Sequence, residues 1–475
     1  MDLDQDSAQG AAAESVRLGH VHAAFHENIT ALRAFAATVG AFTVDLDKKT
    51  LDEVIAAMRR IRAALPSDTT DSDGVHTDSE GDEEAPTASS ETSTSEKNRP
   101  ERLNSFELYD AVQRVRRQPS SQTKILRTGT VVTLVSHFEA LVSDLLHAYY
   151  SLFPQALPST DATTISLEDL RRLGTIPDAE QFIREREIEA VLRGGIEAQL
   201  NYFRKRPKIN IDQGPMPNFL LALAEVSKRR NLYVHNQGIV NRHYMETVDG
   251  ELSRRFEVAL GNHVGASSEY INHAIDTVEV CGTALIQLCW RSWQKAGVGV
   301  ANGALVDVSY EALVSGRLNV VKALSDFCLA TSYGDDETKR KVCVNHAIAL
   351  RDNGEADKIA PLLDRFDWST SNLLFRLAYA AVTGDEDSFF DLLPRAVAAE
   401  EIHLHPLLDW PLFSEVQSSS RWEPLLIELF SLDEVRKAQA LLYQDLLSQE
   451  QAASEPEAPG EVEAGRPTTS DQELN

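Results

Sequence analysis

The sequence predicts an all-α protein, and three observations carry that prediction. Apolar residues recur at helical spacing over most of the 475 residues, Pro and Gly fall between the periodic segments, and no alternating strand pattern competes with them. Apolar content of 43% is enough for a core, and the length suits two or three domains. The net charge of −27 is unevenly spread. Residues 66–100 hold ten acids against Lys97 and Arg99, and residues 448–475 hold seven against Arg466, so these two segments carry −14 of the total. The remainder has an ordinary surface charge, and overall acidity does not exclude an anionic partner for a local patch.

Residues 1–65 read as a helical hairpin. Val21, Phe25, Ile29, Leu32, Ala36 and Val39 form one stripe, Gly40 and 45–49 interrupt it, and Thr50 with Glu53 makes a capping box for a second helix that ends at Pro66. Residues 66–101 are Ser, Thr, Asp, Glu, Gly and Pro with few apolar side chains, a composition that cannot offset the entropy of ordering, and are expected to form a disordered acidic linker. Residues 102–300 predict a helical bundle. Its core helix is 122–152, with Val131, Val135, Phe138, Val142 and Leu145 on a broad apolar face. Further helices follow at 166–173, at 179–203 with a kink at Gly194 and Gly195, at 219–236 capped by Asn218 and closed by Gly238, and at 268–295. Within 301–447, Gly316, Gly354 and Gly384 each follow a similar apolar segment, 38 and 30 residues apart. That period approaches the one in stacked helical hairpins and predicts a tetratricopeptide-like repeat region offering a surface for a protein partner. Residues 448–475 are expected to be a disordered acidic tail.

Cys281, Cys289, Cys328 and Cys343 match no zinc spacing and are too sparse for a disulfide framework. No basic leader precedes an apolar stretch, and no run approaches 18 uninterrupted apolar residues, so the chain is expected to be cytoplasmic with no membrane partner. His22 with His26, and His403 with His405, lack a third ligand, and no metal or cofactor is expected. Phosphate-binding Gly-rich loops, nucleophile elbows and HExxH motifs do not occur.

One segment has chemical content. Arg230-Asn231-x-x-x-His235 lies near the end of the 219–236 helix, in a stretch from 201 to 245 holding Arg204, Lys205, Arg206, Lys208, Lys228, Arg229, Arg230 and Arg242 against Asp212 and Glu225, a balance of +6. Metal-free RNA cleavage needs a base for the 2′-hydroxyl, an acid for the leaving 5′-oxygen and a cation for the phosphorane. Arg230 is always charged and suits the cation's role; His235 stands at a helix C-terminus, where the dipole favours a cation, and suits the acid's. Residues five apart differ by about 140° around a helix, so Arg230 and His235 do not share a face, whereas Asn231 and His235 do. A second copy of the motif from a symmetric dimer would complete the set. An Arg followed by His at four to six residues arises roughly three times by chance in such a composition, and Arg17–His22 and Arg340–His346 are decoys of that kind. Arg230 differs from them in making the only Arg-Asn step of the chain, in sitting on an amphipathic helix, and in its basic surroundings.

These residues resemble the HEPN superfamily, through the Arg230-Asn231-x-x-x-His235 motif on a helix of an all-α bundle, over about 200 residues. The stretch Arg230-Asn-Leu-Tyr-Val-His-Asn-Gln-Gly-Ile-Val-Asn241 is similar to that of HEPN proteins near bacterial defence and stress loci. The resemblance implies a toxin-like, metal-independent endoribonuclease acting as a homodimer, with catalytic Arg230 and His235 from both subunits, Asn231 as a polar helper, and 2′,3′-cyclic phosphate and 5′-hydroxyl products. Lys228, Arg229, Arg242, His243, Arg204, Lys205, Arg206 and Lys208 are then the expected RNA contacts. Toxin members often carry a Tyr two residues after the His, where this chain has Gln237. Other members bind RNA, nucleotides or proteins without cutting, which is the alternative expectation. Glu139 faces near Val135 and Val142; it reads either as a surface acid, the expectation favoured here, or as a partner that orients Arg230.

Overall fold

The computed structural model describes residues 2–64, 109, 112, 121–157, 165–331 and 335–454, with side chains of the terminal helices described from 17 to 62 and up to 444. Among these residues there is no β-strand, only one isolated bridge between Ile239 and His263. The chain divides into two compact units, Met1–Ala301 and Asn302–Asn475. The expected acidic linker at 66–101 lies outside the described residues, as does the expected tail beyond 454.

In the first unit, Asp2–Ala64 forms one helix, α1, where a hairpin was expected. The interruption around Gly40 is absorbed. Thr43 donates its hydroxyl to the Gly40 carbonyl, and Thr50 donates to Leu46 O instead of capping a new helix. Asp47 is held by the next element, α2 (Gln122–Leu152): its carboxylate accepts from the Ser121 hydroxyl and from the Gln122 and Thr123 amides. A lone Gly costs a helix only about 1 kcal/mol, and the contacts along α2 outweigh it. Leu18, Val21, Phe25, Ile29 and Leu32 of α1 are buried, whereas Phe35 and Phe42 beyond them are exposed.

After α2 come α3 (Leu167–Leu173), capped by Ser166, and α4 (Ile176–Arg193), capped by Thr175. The kink expected at Gly194–Gly195 is a full break, because Gly195 adopts φ +74°, and α5 (Gly195–Lys205) starts afresh. Next is α6 (Met216–His235), which begins earlier than expected, with Pro217 in its first turn and Pro215, not Asn218, at the cap position. Short helices α7 (Arg242–Thr247) and α8 (Gly250–Arg255) lead to α9 (Ser268–Trp293), which is buried along nearly its whole length from Ala274 to Arg291. The core is a bundle of α1, α2, α6 and α9, in which α2 and α9 touch each other and lie between α1 and α6. Phe25 of α1 packs so closely on Gly282 of α9 that a Cβ there would stand 2.2 Å from its ring. Helices α1 and α2 reach the length and hydropathy of a membrane span; half of the most apolar window of α2 is buried in the bundle, against 17% for α1.

The second unit starts within α10 (Val298–Val314), at Asn302, and continues through α11 (Leu318–Ala330), α12 (Asp336–Asp352), α13 (Ile359–Leu363), α14 (Leu373–Thr383), α15 (Glu386–Ala398), α16 (Leu404–Asp409) and α17 (Trp422–Phe430) to α18 (Leu432–Ser454). Helix α11 packs on α12, α12 on α13 and α14, α14 on α15, and α17 on α18. Gly316, Gly354 and Gly384 each follow the end of a helix with φ of +67°, +73° and +74°, so the three glycines noted in the sequence share one structural role. Helix α18 continues through Ser454, seven residues into the expected tail, over Gln, Glu and Ala, which favour helix. All four cysteines are buried single thiols.

Candidate functional site

The last three turns of α6 show what the motif is built on. Glu225 and Arg229, one turn apart, are 2% and 1% exposed and form an ion pair with Arg229 Nε 2.7 Å from Glu225 Oε1. Tyr244 OH donates to Glu225 Oε1 at 2.5 Å, Tyr270 OH donates to Oε2 at 2.9 Å, and Arg229 Nη1 donates to Gly265 O at 3.1 Å. The guanidinium also lies 3.7 Å from the centroid of the Tyr270 ring. Burial, aided by the Glu225 charge, pushes both tyrosine hydroxyls above their ordinary range and keeps them as donors. This network ties α6 to α7, α9 and the 257–266 loop. It also corrects the expectation that Arg229 contacts RNA: the side chain is inside the bundle and donates there to Glu225, Gly265 and Tyr244.

Arg230, the next residue, is rotated about 100° toward α2. Its Nη2 lies 2.6 Å from Glu139 Oε1, with the two side chains 21% and 27% exposed. The surface position favoured for Glu139 from sequence is therefore replaced by a partly buried ion pair that orients Arg230. The buried Nε of Arg230 has no hydrogen-bond partner. Asn231 and His235 are exposed, one turn apart on one face, as their spacing predicts. No described hydrogen bond connects Arg230 with His235 in one copy of the chain.

Helix α6 ends in a tight reversal. Asn236 closes it, Gln237 and Gly238 follow with φ of +52° and +78°, and the Gly238 amide donates back to Leu232 O. Val240 N–H donates to Asn262 O and Val264 N–H to Gly238 O, pinning the 257–266 loop beside the end of α6. The His263 ring covers Gly238, with Nε2 2.8 Å from where a Cβ would stand. Sequence reasoning missed His263: it lies 28 positions after His235, and the Ile239–His263 bridge with its flanking backbone hydrogen bonds brings it here. His243 is exposed in α7, whose start is capped by Asn241.

The expected phosphate contacts do not form one patch. Arg204 is paired with Asp212 at 2.6 Å, and Lys228 with Glu197 at 3.0 Å while also donating to Thr247 O. Lys205, Arg206, Lys208 and Arg242 are exposed and have no ion-pair partner among the described residues. Glu197 and Glu139 come from outside the 201–245 segment and each removes one charge, lowering the local balance from +6 to +4. Arg204 borders a cleft with Pro217, at the other end of α6 from His235. At 1.5 Å per residue, the two ends are about 27 Å apart. Arg204 shares the basic 201–245 stretch with the motif and stands about a helix length from His235 in space.

The decoys are placed structurally. Arg17 donates to Ser151, Arg340 lies over the Phe366 and Trp368 rings, and His346 is buried in the second unit. His22 and His26 pack ring to ring, 4.5 Å apart, with His26 Nε2 3.2 Å from the Thr283 hydroxyl. Among the described residues no group of three His, Cys, Asp or Glu side chains is arranged to hold a metal ion. No family model, no curated protein and no solved structure matches this chain.

Proposed function

We propose that the chain is an endoribonuclease of HEPN type whose site forms where two copies bring together the ends of their α6 helices. The observation that carries this reading is the pairing of an exposed Asn231–His235 face with a flanking Arg230 that is oriented and partly desolvated by Glu139. A single copy presents these groups on different sides of the helix, and a two-fold pairing supplies an Arg and a His from each copy to one phosphate. The 2′-oxygen attacks the adjacent phosphorus while one His235 takes its proton, and the bond from phosphorus to the 5′-oxygen breaks as His235 of the second copy protonates the leaving oxygen. The products are a 2′,3′-cyclic phosphate and a 5′-hydroxyl. Arg230 stabilises the charge of the phosphorane through N–H groups that Glu139 does not use. The buried Glu225–Arg229 network holds the last turns of α6 in place. Arg242 lies beside that end of the helix, and Lys205, Arg206 and Lys208 serve an RNA that runs along it.

The Arg230–Glu139 pair also favours a second reading, a non-catalytic RNA-binding module, because it neutralises the cation the cleavage step needs. Incubation of the purified chain with tRNA or total RNA in EDTA, followed by mapping of the ends, separates the two. Cleavage to cyclic-phosphate ends that Arg230→Ala and His235→Ala each abolish supports the enzyme. RNA binding without cleavage supports the module. Cleavage that survives both substitutions, or that EDTA removes, refutes the catalytic assignment.

A further inference from the structure

We propose that a groove in the second unit, between α10, α12, α14 and α16, binds a cationic, aliphatic-flanked peptide segment. This is independent of the RNA reading, since every residue involved belongs to Asn302–Asn475. The groove has a volume of about 530 Å³, within the range that takes a side chain and its flanking backbone. Tyr310, Phe375 and Trp410 line it, and buried Asn345, 3% exposed, contributes an amide.

The charges decide which partner fits. Four acids, one Lys and two histidines, His403 and His405, line the groove, and not all of the acids are available. Glu337 is paired with Lys341 at 2.7 Å, and Glu401 accepts the Leu374 amide at the start of α14. Asp307 and Asp409 are different: both are exposed, and neither has an ion-pair partner among the described residues. Asp409 and Tyr310 line the same groove, and the Asp409 charge adds to burial in pushing the Tyr310 hydroxyl above its ordinary range. Two unneutralised carboxylates around three aromatic side chains suit an Arg or Lys head by charge and by cation–π attraction, with the apolar walls taking the stem and an aliphatic neighbour. The same carboxylates repel a nucleic acid or an anionic lipid surface.

The test uses the full-length chain and a positional-scanning hexapeptide library read by fluorescence anisotropy. Pools fixed as Arg or Lys are expected to bind about tenfold tighter than pools fixed as Glu, and to weaken with added salt. Asp307→Asn with Asp409→Asn is expected to remove about tenfold of that affinity, while Asp364→Asn with Asp391→Asn, the same charge change at exposed sites outside the groove, leaves it unchanged. The proposal is overturned if no pool binds below about 1 mM, if Glu pools bind as well as Arg pools, or if the remote pair costs as much as the groove pair. It is also overturned if an RNA oligonucleotide occupies the groove, or if the groove substitutions change self-association and leave peptide binding intact.

Discussion

Replacing Arg229 with Met tests whether the motif helix rests on a buried ionic network. The substitution keeps an apolar side chain of similar length but leaves Glu225, 2% exposed, with its two tyrosine donors and no cation. It also strands the Gly265 carbonyl, which accepts from Arg229 at 3.1 Å, and removes the guanidinium from the Tyr270 ring. Removing one partner of a buried ion pair typically costs about 3–5 kcal/mol, because the remaining charge must be kept in a site that does not solvate it. Replacing both ions with apolar groups relieves that penalty, so Arg229→Met with Glu225→Leu is expected to lose less than the sum of the two single variants, by more than about 1 kcal/mol. Urea unfolding followed by circular dichroism gives all four corners of the cycle. An Arg229→Met variant within about 1 kcal/mol of the parent, or a double variant equal to the sum, refutes the network as the support of α6. If Arg229 instead served RNA, the single variant would keep its stability and lose only salt-dependent affinity.

Three further outcomes follow from other contacts. Gly282→Ala places a methyl 2.2 Å from the Phe25 ring and is expected to destabilise the first unit by about 1–3 kcal/mol, with partial recovery in a Phe25→Leu background; an unchanged urea midpoint would contradict the close α1–α9 packing. The hydrogen bond from Ser121, with those from Thr123 and Gln122, lowers the Asp47 carboxyl from 3.8 to about 2, so its contribution is present above 3.8 and fades as pH falls toward 2. Asp47→Asn should flatten that acid limb in pH-dependent unfolding, and an unaltered limb would count against the α1–α2 cap. His346 has neither ring nitrogen hydrogen-bonded, and burial lowers it from 6.5 to about 4, so stability is full above 6.5 and is lost as pH falls toward 4, by roughly 3 kcal/mol. His346→Leu should remove that slope from the unfolding of the second unit; a slope that persists assigns it to another group.

How much of the candidate site could be read beforehand depended on how local each interaction is. The Asn231–His235 face follows from helical geometry and stands in the structure, whereas the helix closes at Asn236 and first turns to positive φ at Gln237, before the Gly238 expected to close it. Arg229 looked like its basic neighbours because charge is visible in a sequence and burial is not. Glu139 is 91 positions from Arg230, and nothing local distinguishes it from a surface acid. The expected hairpin at 1–65 failed for a related reason: Gly40 and the polar residues after it weaken a helix locally, but the Asp47 contacts with the start of α2 come from residues more than 70 positions away.

The sequence by itself determined the all-helical class, the uneven distribution of the −27 charge, and the residues that share a face on α6, since each depends on composition or on a spacing of a few residues. Only the tertiary structure decided that α1 is continuous, that Arg229 belongs to the core while Arg230 turns to Glu139, and that Arg204 pairs with Asp212 at the other end of α6 from His235. The physical reason is the same in each case. Desolvation and ion pairing depend on which distant elements pack together, and a basic residue carries the same letter whether it ends in water or against a buried carboxylate.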